Sequence, residues 1–426
     1  MRNLSEPRDA SRSLRRNNRA FGSLPYQALR HCRHCRHLYL PPELCYKPNI
    51  EPTKPLRATK TPASFPAAAH QQQDAVFASA FELIRQAIAD HAFPAASIAI
   101  THHGSIVALK AFGRFTYEPE SPETTTATIF DVASVTKVVA TTSMAMILYE
   151  RGLLDLDLPV VAVVAEFAGE DPRRDAVTLR MLLAHSSGLP AYEKLFQRAQ
   201  TRDQLLSAAF ATPLAADPAA GAAYSDIGFI ILGVALERIA EESLNHFCQR
   251  EVFGPLAMTH TAFNPPETWK ASIPPTSNDQ TFRRRVIQGE VQDENASVLG
   301  GVAAHAGLFA TAGDLANFAH AMLSGGQPIL HPETLALFTR REPSPAGTSR
   351  ALGWDTPSSP SQSGKYFSAA SFGHLGYTGT SLWIDPERQL SITLLTNRTW
   401  PDCSNQAIKQ WRPKFHDAVV ESLGAA

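Results

Sequence analysis

From residue 74 onward the chain alternates apolar and polar positions in regular patterns. Phe77, Phe81, Ile84 and Ile88 recur at spacings of 4, 3 and 4, one face of an amphipathic helix. The next stretch, ASIAITHHGSIVALKAFGRFTY, reads as two strands around a turn at His103-Gly104. Near the other end, SLWIDPERQLSITLLTN reads as a second hairpin, with Asp385-Pro386-Glu387-Arg388 as its turn and Leu390, Ile392 and Leu394 alternating on one face. A final amphipathic segment covers Ala407 to Leu423. Between these ends, Ser134 to about Leu337 is mostly helical in pattern and rich in Ala and Leu, and a Pro/Ser/Gly-rich loop, Pro343 to Gly364, leads out of it. The expected fold class is α/β: an antiparallel sheet flanked by N- and C-terminal helices, assembled from both ends of the chain, with a mostly helical insertion. No internal repeat of 20–50 residues is visible.

Composition sharpens this picture at one place. The 426 residues hold 39 Lys and Arg against 40 Asp and Glu, a formal charge of -1, so no overall field steers the chain towards nucleic acid or an anionic membrane. No run approaches the roughly 20 apolar residues that span a bilayer. Residues 1–60, however, carry thirteen basic and four acidic side chains. Residues 1–72 are expected to form a disordered basic extension, with the regular chain beginning at 73. No apolar stretch follows the arginines as in a secretory signal, so the chain as written is expected to be cytoplasmic, and periplasmic or secreted if its true start differs. Cys32, Cys35 and Cys45 lie in the extension among His31, His34 and His37. They offer zinc-type ligands but lack a second Cys pair and an apolar surround, so no metal or other cofactor is expected. Cys248 and Cys403 read as packed thiols.

The chemistry begins at Asp131-Val132-Ala133-Ser134-Val135-Thr136-Lys137, which leads into VVATTSMAMILYERG, apolar around most of its circumference. On such a helix Ser134 and Lys137 stand one turn apart, so hydroxyl and amine can meet. A lysine in that setting must be paired, neutralised or employed. Of the ten lysines, only Lys137 has a serine three residues before it. A capping Ser and a snorkelling Lys would give the same short pattern. Tyr224-Ser225-Asp226 follows a Gly/Ala/Pro-rich approach and precedes the apolar run IGFIILGVALERI, where Asp226 could equally be a helix cap. His374-Leu375-Gly376 heads the strand leading into the last hairpin.

In that chain order, S-x-x-K, Y-S-D and H-x-G resemble the serine β-lactamase-like hydrolases, the family of class C β-lactamases, D-alanyl-D-alanine carboxypeptidases and related esterases. The stretches IFDVASVTK, His185-Ser186-Ser187-Gly188-Leu189-Pro190, Asp293-Glu294-Asn295-Ala296, GGVAAHAGLFATAGDL and YTGTSLWIDPE resemble it too, over roughly residues 74–424. The resemblance implies a β-lactamase/transpeptidase-like fold. Its sheet part would span about 73–130 and 345–424 and its helical part about 131–344, with the site in the cleft between them. It implies Ser134 as nucleophile of an acyl-enzyme, Lys137 and Tyr224 sharing the proton traffic, and an oxyanion hole from the backbone N–H groups of Ser134 and Tyr377. Asp226, His374 and Gly376 would line the substrate site.

Two departures bear on substrate. Where the family commonly has Lys-Thr-Gly, this chain has His374-Leu375-Gly376, without the hydroxyl and with a side chain only partly charged near neutral pH. Asp226 stands where Asn is commoner, and a carboxylate reaching Lys137 would raise the amine's pKa and leave Tyr224 as the base. The expected partner is a small-molecule or peptidoglycan-type substrate (an ester, a D-amino-acid peptide or a β-lactam-like amide), with no nucleic acid and no set oligomeric state. The alternative is a non-catalytic relative that binds peptidoglycan or another ligand in the same cleft. His185, His305 and Arg283-Arg284-Arg285 are expected to be structural: a turn, a partner for buried backbone, and a solvated loop. There is no G-x-S-x-G, H-E-x-x-H or phosphate-cradling glycine loop to support other hydrolase or nucleotide chemistry.

Overall fold

The structure, a computed structural model, describes residues 70–424. The basic extension expected over residues 1–72, with its cysteine and histidine cluster, lies outside the described residues except for its last three positions.

The helix expected from the spacing of Phe77 to Ile88 is α1, Ala78–Ala89. The chain then runs into β1, Ala95–His102, and β2, Ser105–Gly113. The turn joining them places His103 and Gly104 at positive φ, 46° and 79°, the handedness that matches the twist of two-residue hairpins. The C-terminal strands are β3, Phe372–Leu375, β4, Ser381–Asp385, and β5, Leu390–Thr396, followed by helix α2, Ile408–Ser422. These five strands form one antiparallel sheet in the order β2-β1-β5-β4-β3. Its centre is the pairing of β1 with β5, in which Ile98 faces Leu394 and Ile100 faces Ile392.

Period-two alternation divides the strands between two cores. Ile98, Ile100, Trp383, Ile392 and Leu394 pack with Phe81 and Ile84 of α1 and Phe415 and Val419 of α2. Ala95, Ala99, Leu382, Ile384 and Leu395 face the other core, shared with Leu315, Phe318 and Met322 of the helix Ala312–Leu323 and with the apolar helices of the middle region. The α/β expectation agrees with this sheet and its flanking helices. β1, β4 and β5 are buried at nearly every position, whereas β2 is mostly half-buried. The middle region also holds short strands that the sequence did not mark, Phe130–Asp131, Ala262–Phe263 and Leu308–Ala310, paired into a small sheet. Among the described residues no helix is long and apolar enough to cross a membrane.

The end of the central strand β5 is fastened to neighbouring segments, one of them in the middle region, by polar contacts. Asn397, fully buried at the end of β5, accepts the Ala95 N–H and donates to the carbonyls of Phe115 and Pro275. Truncating Asn397 to alanine orphans three buried backbone groups and is expected to cost about 3 kcal/mol. The denaturant midpoint reads this loss, and one below about 1 kcal/mol would mean that the hub is not structural.

Candidate active site

Ser134 follows a backbone turn that reverses handedness. Ala133 has φ 47°, a left-handed conformation that costs a non-glycine residue free energy and persists only where surroundings enforce it. After it, Ala133–Val135 forms a tight 3₁₀ turn and Lys137–Thr142 winds as a π-helix before α-helical geometry resumes at Ser143–Glu150. Ser134 is half-buried and Lys137 fully buried. The Lys137 Nζ donates to Ser134 Oγ at 2.9 Å, to Asp226 Oδ1 at 2.6 Å and to the His305 carbonyl at 2.9 Å. Those are the three donors an ammonium has. Burial pushes this amine down, but Asp226 and Tyr224 outweigh it, and its pKa ends above the ordinary value.

Tyr224-Ser225-Asp226 divides its work by position. Ser225, not Asp226, caps the helix Asp226–Ala240 by accepting the Gly228 N–H, while its own N–H donates to His185 Nδ1. The residues on either side are thereby aimed at Lys137: Asp226 makes the ion pair, and the Tyr224 ring lies 4.9 Å from the Nζ. Burial raises the Tyr224 phenol, opposed by Lys137 and by a hydrogen bond with Ser134, and the net shift is upward. At neutral pH the site therefore holds an ammonium and a neutral phenol.

The opposite wall is the tip between β3 and β4. Thr378 Oγ1 donates to the Asp131 carbonyl at 2.8 Å and Thr380 Oγ1 to the Val132 carbonyl at 3.0 Å, which bolts the tip to the segment just before Ser134. A Cβ on Gly376 would lie 1.9 Å from Thr380 Oγ1 and 2.6 Å from the Val132 carbonyl, so only glycine permits this approach. Tyr377, 51% exposed, follows it. The backbone N–H groups of Ser134 and Tyr377 make no hydrogen bond within the described residues.

His374 departs from expectation. Its Nδ1–H donates to the Leu375 carbonyl at 2.8 Å, leaving Nε2 as a buried lone pair without a partner among the described residues. Burial, with the charges of Lys137 and Arg350, holds its pKa well below the ordinary value. It is neutral rather than partly charged. His185 is also held neutral, by burial and then by Arg350 and Lys137, and packs beneath Tyr224 with ring centroids 4.6 Å apart.

A cleft of about 690 Å³ joins Ser134, Tyr224, Asp226, His374, Gly376 and Tyr377. It also includes residues that motif reading did not select. Arg350, from the loop after the middle region, lies 5.3 Å from the Tyr224 ring. His305 does not serve buried backbone through its ring: the ring pairs with Asp293 at 2.9 Å, and the residue's carbonyl is what receives Lys137. Arg283 is not solvated either. Its side chain, 8% exposed, donates to the carbonyls of Val291 and Gln292. The only hint of this pairing in the sequence was that the Asp293 and His305 segments both carried the family resemblance.

A family model described as Beta-lactamase matches residues 80–410. A putative D-alanyl-D-alanine carboxypeptidase of Escherichia coli (strain K12) is 31% identical over 346 residues, covering 72% of this chain and 79% of that protein. An N-acetylmuramyl-L-alanine amidase of Bacillus subtilis (strain 168) is 31% identical over 344 residues, covering 72% and 77%. Among solved structures, EstCE1, a hydrolase with promiscuous acyltransferase activity, superposes with a TM-score of 0.68 at 23% identity, covering 82% of this chain and 99% of that one. A penicillin-binding protein homolog from Caulobacter crescentus gives 0.66 at 20% identity, covering 82% and 97%. At these identities the structural likeness speaks to the fold.

The ion pair makes a signed prediction. In Asp226→Asn the buried ammonium loses its counter-charge, which is expected to cost about 3–5 kcal/mol near pH 7. The folded pKa of Lys137 then falls below its unfolded value, so the folded variant binds fewer protons than the unfolded chain and gains stability as pH rises towards the unfolded lysine pKa. Wild type, whose folded pKa is raised, gains none in that window. Melting temperatures from pH 6 to 9.5 should show the variant's deficit shrinking with pH; a pH-independent deficit would contradict the charged state.

Proposed function

Because this chain belongs to the beta-lactamase family, we propose that it is a serine hydrolase in which Ser134 attacks a carbonyl, carries the acyl group and yields it to water. The observation that carries this reading is the meeting of Ser134 Oγ, Asp226 and Lys137 Nζ at hydrogen-bond distance, with the Tyr224 ring 4.9 Å from that nitrogen. Two separated sequence segments, Ser134–Lys137 and Tyr224–Asp226, converge around one alcohol, which is the arrangement of an activated nucleophile.

The charge states assign the proton steps. Lys137, already an ammonium with every donor engaged, cannot remove the proton of Ser134; it holds Oγ in place and favours negative charge there. Tyr224 does the transfer as a neutral phenol. As Oγ bonds to the acyl carbon, the Ser134 proton passes to the Tyr224 oxygen, and the Tyr224 proton passes to the leaving nitrogen or oxygen as its bond to carbon breaks. In deacylation water takes the place of the leaving group and the same two transfers run in reverse, restoring the Ser134 hydroxyl. No net charge gathers on the phenol, in keeping with its raised pKa. The N–H groups of Ser134 and Tyr377 would receive the carbonyl oxygen as it turns negative.

The proposed substrates are amides or esters of the peptidoglycan type. The names of the two curated relatives support an alanine-containing amide. The neutral His374 and the missing hydroxyl at Leu375 weaken recognition of a carboxylate beside the reacting bond, which β-lactams and D-alanyl-D-alanine termini both carry, and so favour amides or esters without one there.

A fluorophosphonate or a fluorescent penicillin should label the protein covalently, and Ser134→Ala should abolish the label. Tyr224→Phe is expected to slow acylation by roughly 10²- to 10⁴-fold. Full activity in that variant would remove the phenol from the proton path, and binding without any covalent label would favour a non-catalytic receptor.

A further inference from the structure

One buried acid near the nucleophile has no part in the chemistry above. Asp131, 2% exposed, lies three residues before Ser134 in the strand Phe130–Asp131. Its Oδ1 accepts the Ala133 N–H at 2.8 Å and its Oδ2 accepts the Gln292 N–H at 2.7 Å. The first bond holds the residue whose left-handed backbone presents Ser134. The second holds a loop that Arg283 grips by the carbonyls of Val291 and Gln292. Asp293, next in that loop, binds the ring of His305, whose carbonyl is one of the three acceptors of Lys137. Asp131 thus joins the two ends of a circuit that closes through Ser134 and Lys137.

The choice of a carboxylate is informative. A serine or asparagine would cap one N–H at less desolvation cost; only a carboxylate offers two oxygens that both accept. The charged groups facing Asp131 are Asp293 from the loop and Arg283 from the hairpin behind it, while the β3–β4 tip brings the Thr378 hydroxyl to its carbonyl. We propose that Asp131 is the positioning residue of the nucleophile turn: in its ionised form it locks Ala133 and the Gln292–Asp293 loop together, and protonation of this one carboxylate unlocks Ser134 from Lys137 and switches acylation off. Burial, opposed by two N–H bonds and Arg283, pushes its pKa up to about 6, which puts the switch within reach of mildly acidic pH. The sign follows directly: the competent form is present above that value and lost as pH falls through it.

This inference rests on the reading of Ser134 as nucleophile, and the test separates the two. Acylation by p-nitrophenyl acetate, and phosphonylation by a fluorophosphonate with loss of fluoride, are followed from pH 4.5 to 8 in wild type, Asp131→Asn and Glu294→Gln, with folding checked by circular dichroism at each pH. Wild type should lose acylation tenfold per pH unit below about pH 6 while remaining folded. Asp131→Asn keeps one acceptor, so its kcat should fall roughly 100-fold at pH 7.5, as expected for a misplaced nucleophile, with KM little changed and the acid limb gone. Glu294→Gln, which removes the next carboxyl along the chain, the first residue of the short helix Glu294–Val298, should keep the limb. Wild-type kcat and an intact limb in Asp131→Asn overturn the proposal, as does a limb that disappears in Glu294→Gln. If Asp131→Asn does not fold, wild-type acylation that stays level between pH 7 and 5 overturns it equally. Failure of the Ser134 reading looks different: no acylation at pH 7.5 that depends on Ser134.

Discussion

A fully buried ammonium with three acceptors organises this molecule's cleft. Lys137 needs Asp226 to offset the loss of water, the His305 carbonyl to complete its shell and Ser134 Oγ as its last partner. Each acceptor comes from a different stretch of chain, so the folding of those stretches and the assembly of the site are one event. An unpaired charge at this depth costs several kcal/mol, and the surrounding helices and loops are arranged to prevent it.

That electrostatic requirement also bears on the proposed chemistry. With Asp226 rather than an amide at the end of the Tyr-Ser-Asp segment, the amine's pKa is held above its ordinary value, and in the proposed mechanism it does not serve as the base. Burial, reinforced by the same charge and by Arg350, keeps His185 and His374 neutral. The proposed mechanism therefore gives proton movement to Tyr224, whose oxygen interacts with Lys137 and Ser134. The polar supports around this centre, Asp131 and the Asp293–His305 pair, are buried at a cost that ordinary packing would avoid. Their concentration around a single serine fits preorganisation of a reacting group better than stabilisation of the fold.

Much of this was legible from local pattern. The spacing from Phe77 to Ile88 and the alternation in both hairpins fix element type through periodicity, and the turn chemistry at His103-Gly104 and Asp385-Pro386 fixes where the strands reverse. Ser134, Lys137, Tyr224 and Asp226 were legible because each motif is short and its residue types are chemically uncommon together. The supporting shell was not. Asp293 and His305 are twelve residues apart, on either side of a single helical turn and a glycine-rich stretch, Arg350 sits in a Pro/Ser/Gly-rich loop, and Asp131 binds across more than a hundred residues to Gln292; such pairings are set by tertiary geometry that no local period encodes. The charge of His374 was misjudged for a related reason: its ordinary pKa predicts partial protonation, whereas burial beside Lys137 and Arg350 removes it. The short strands of the middle region escaped because two or three residues are too few to show alternation.

The protonation state of Lys137 tests the whole account most directly. With ¹³C-labelled lysine, the Cε resonance of Lys137, assigned by its absence in Lys137→Met, can be titrated from pH 6 to 10. An ammonium shift is expected throughout that range. A neutral amine near pH 7 would contradict it, because Lys137 could then take the Ser134 proton itself and Tyr224 would lose the role given to it here.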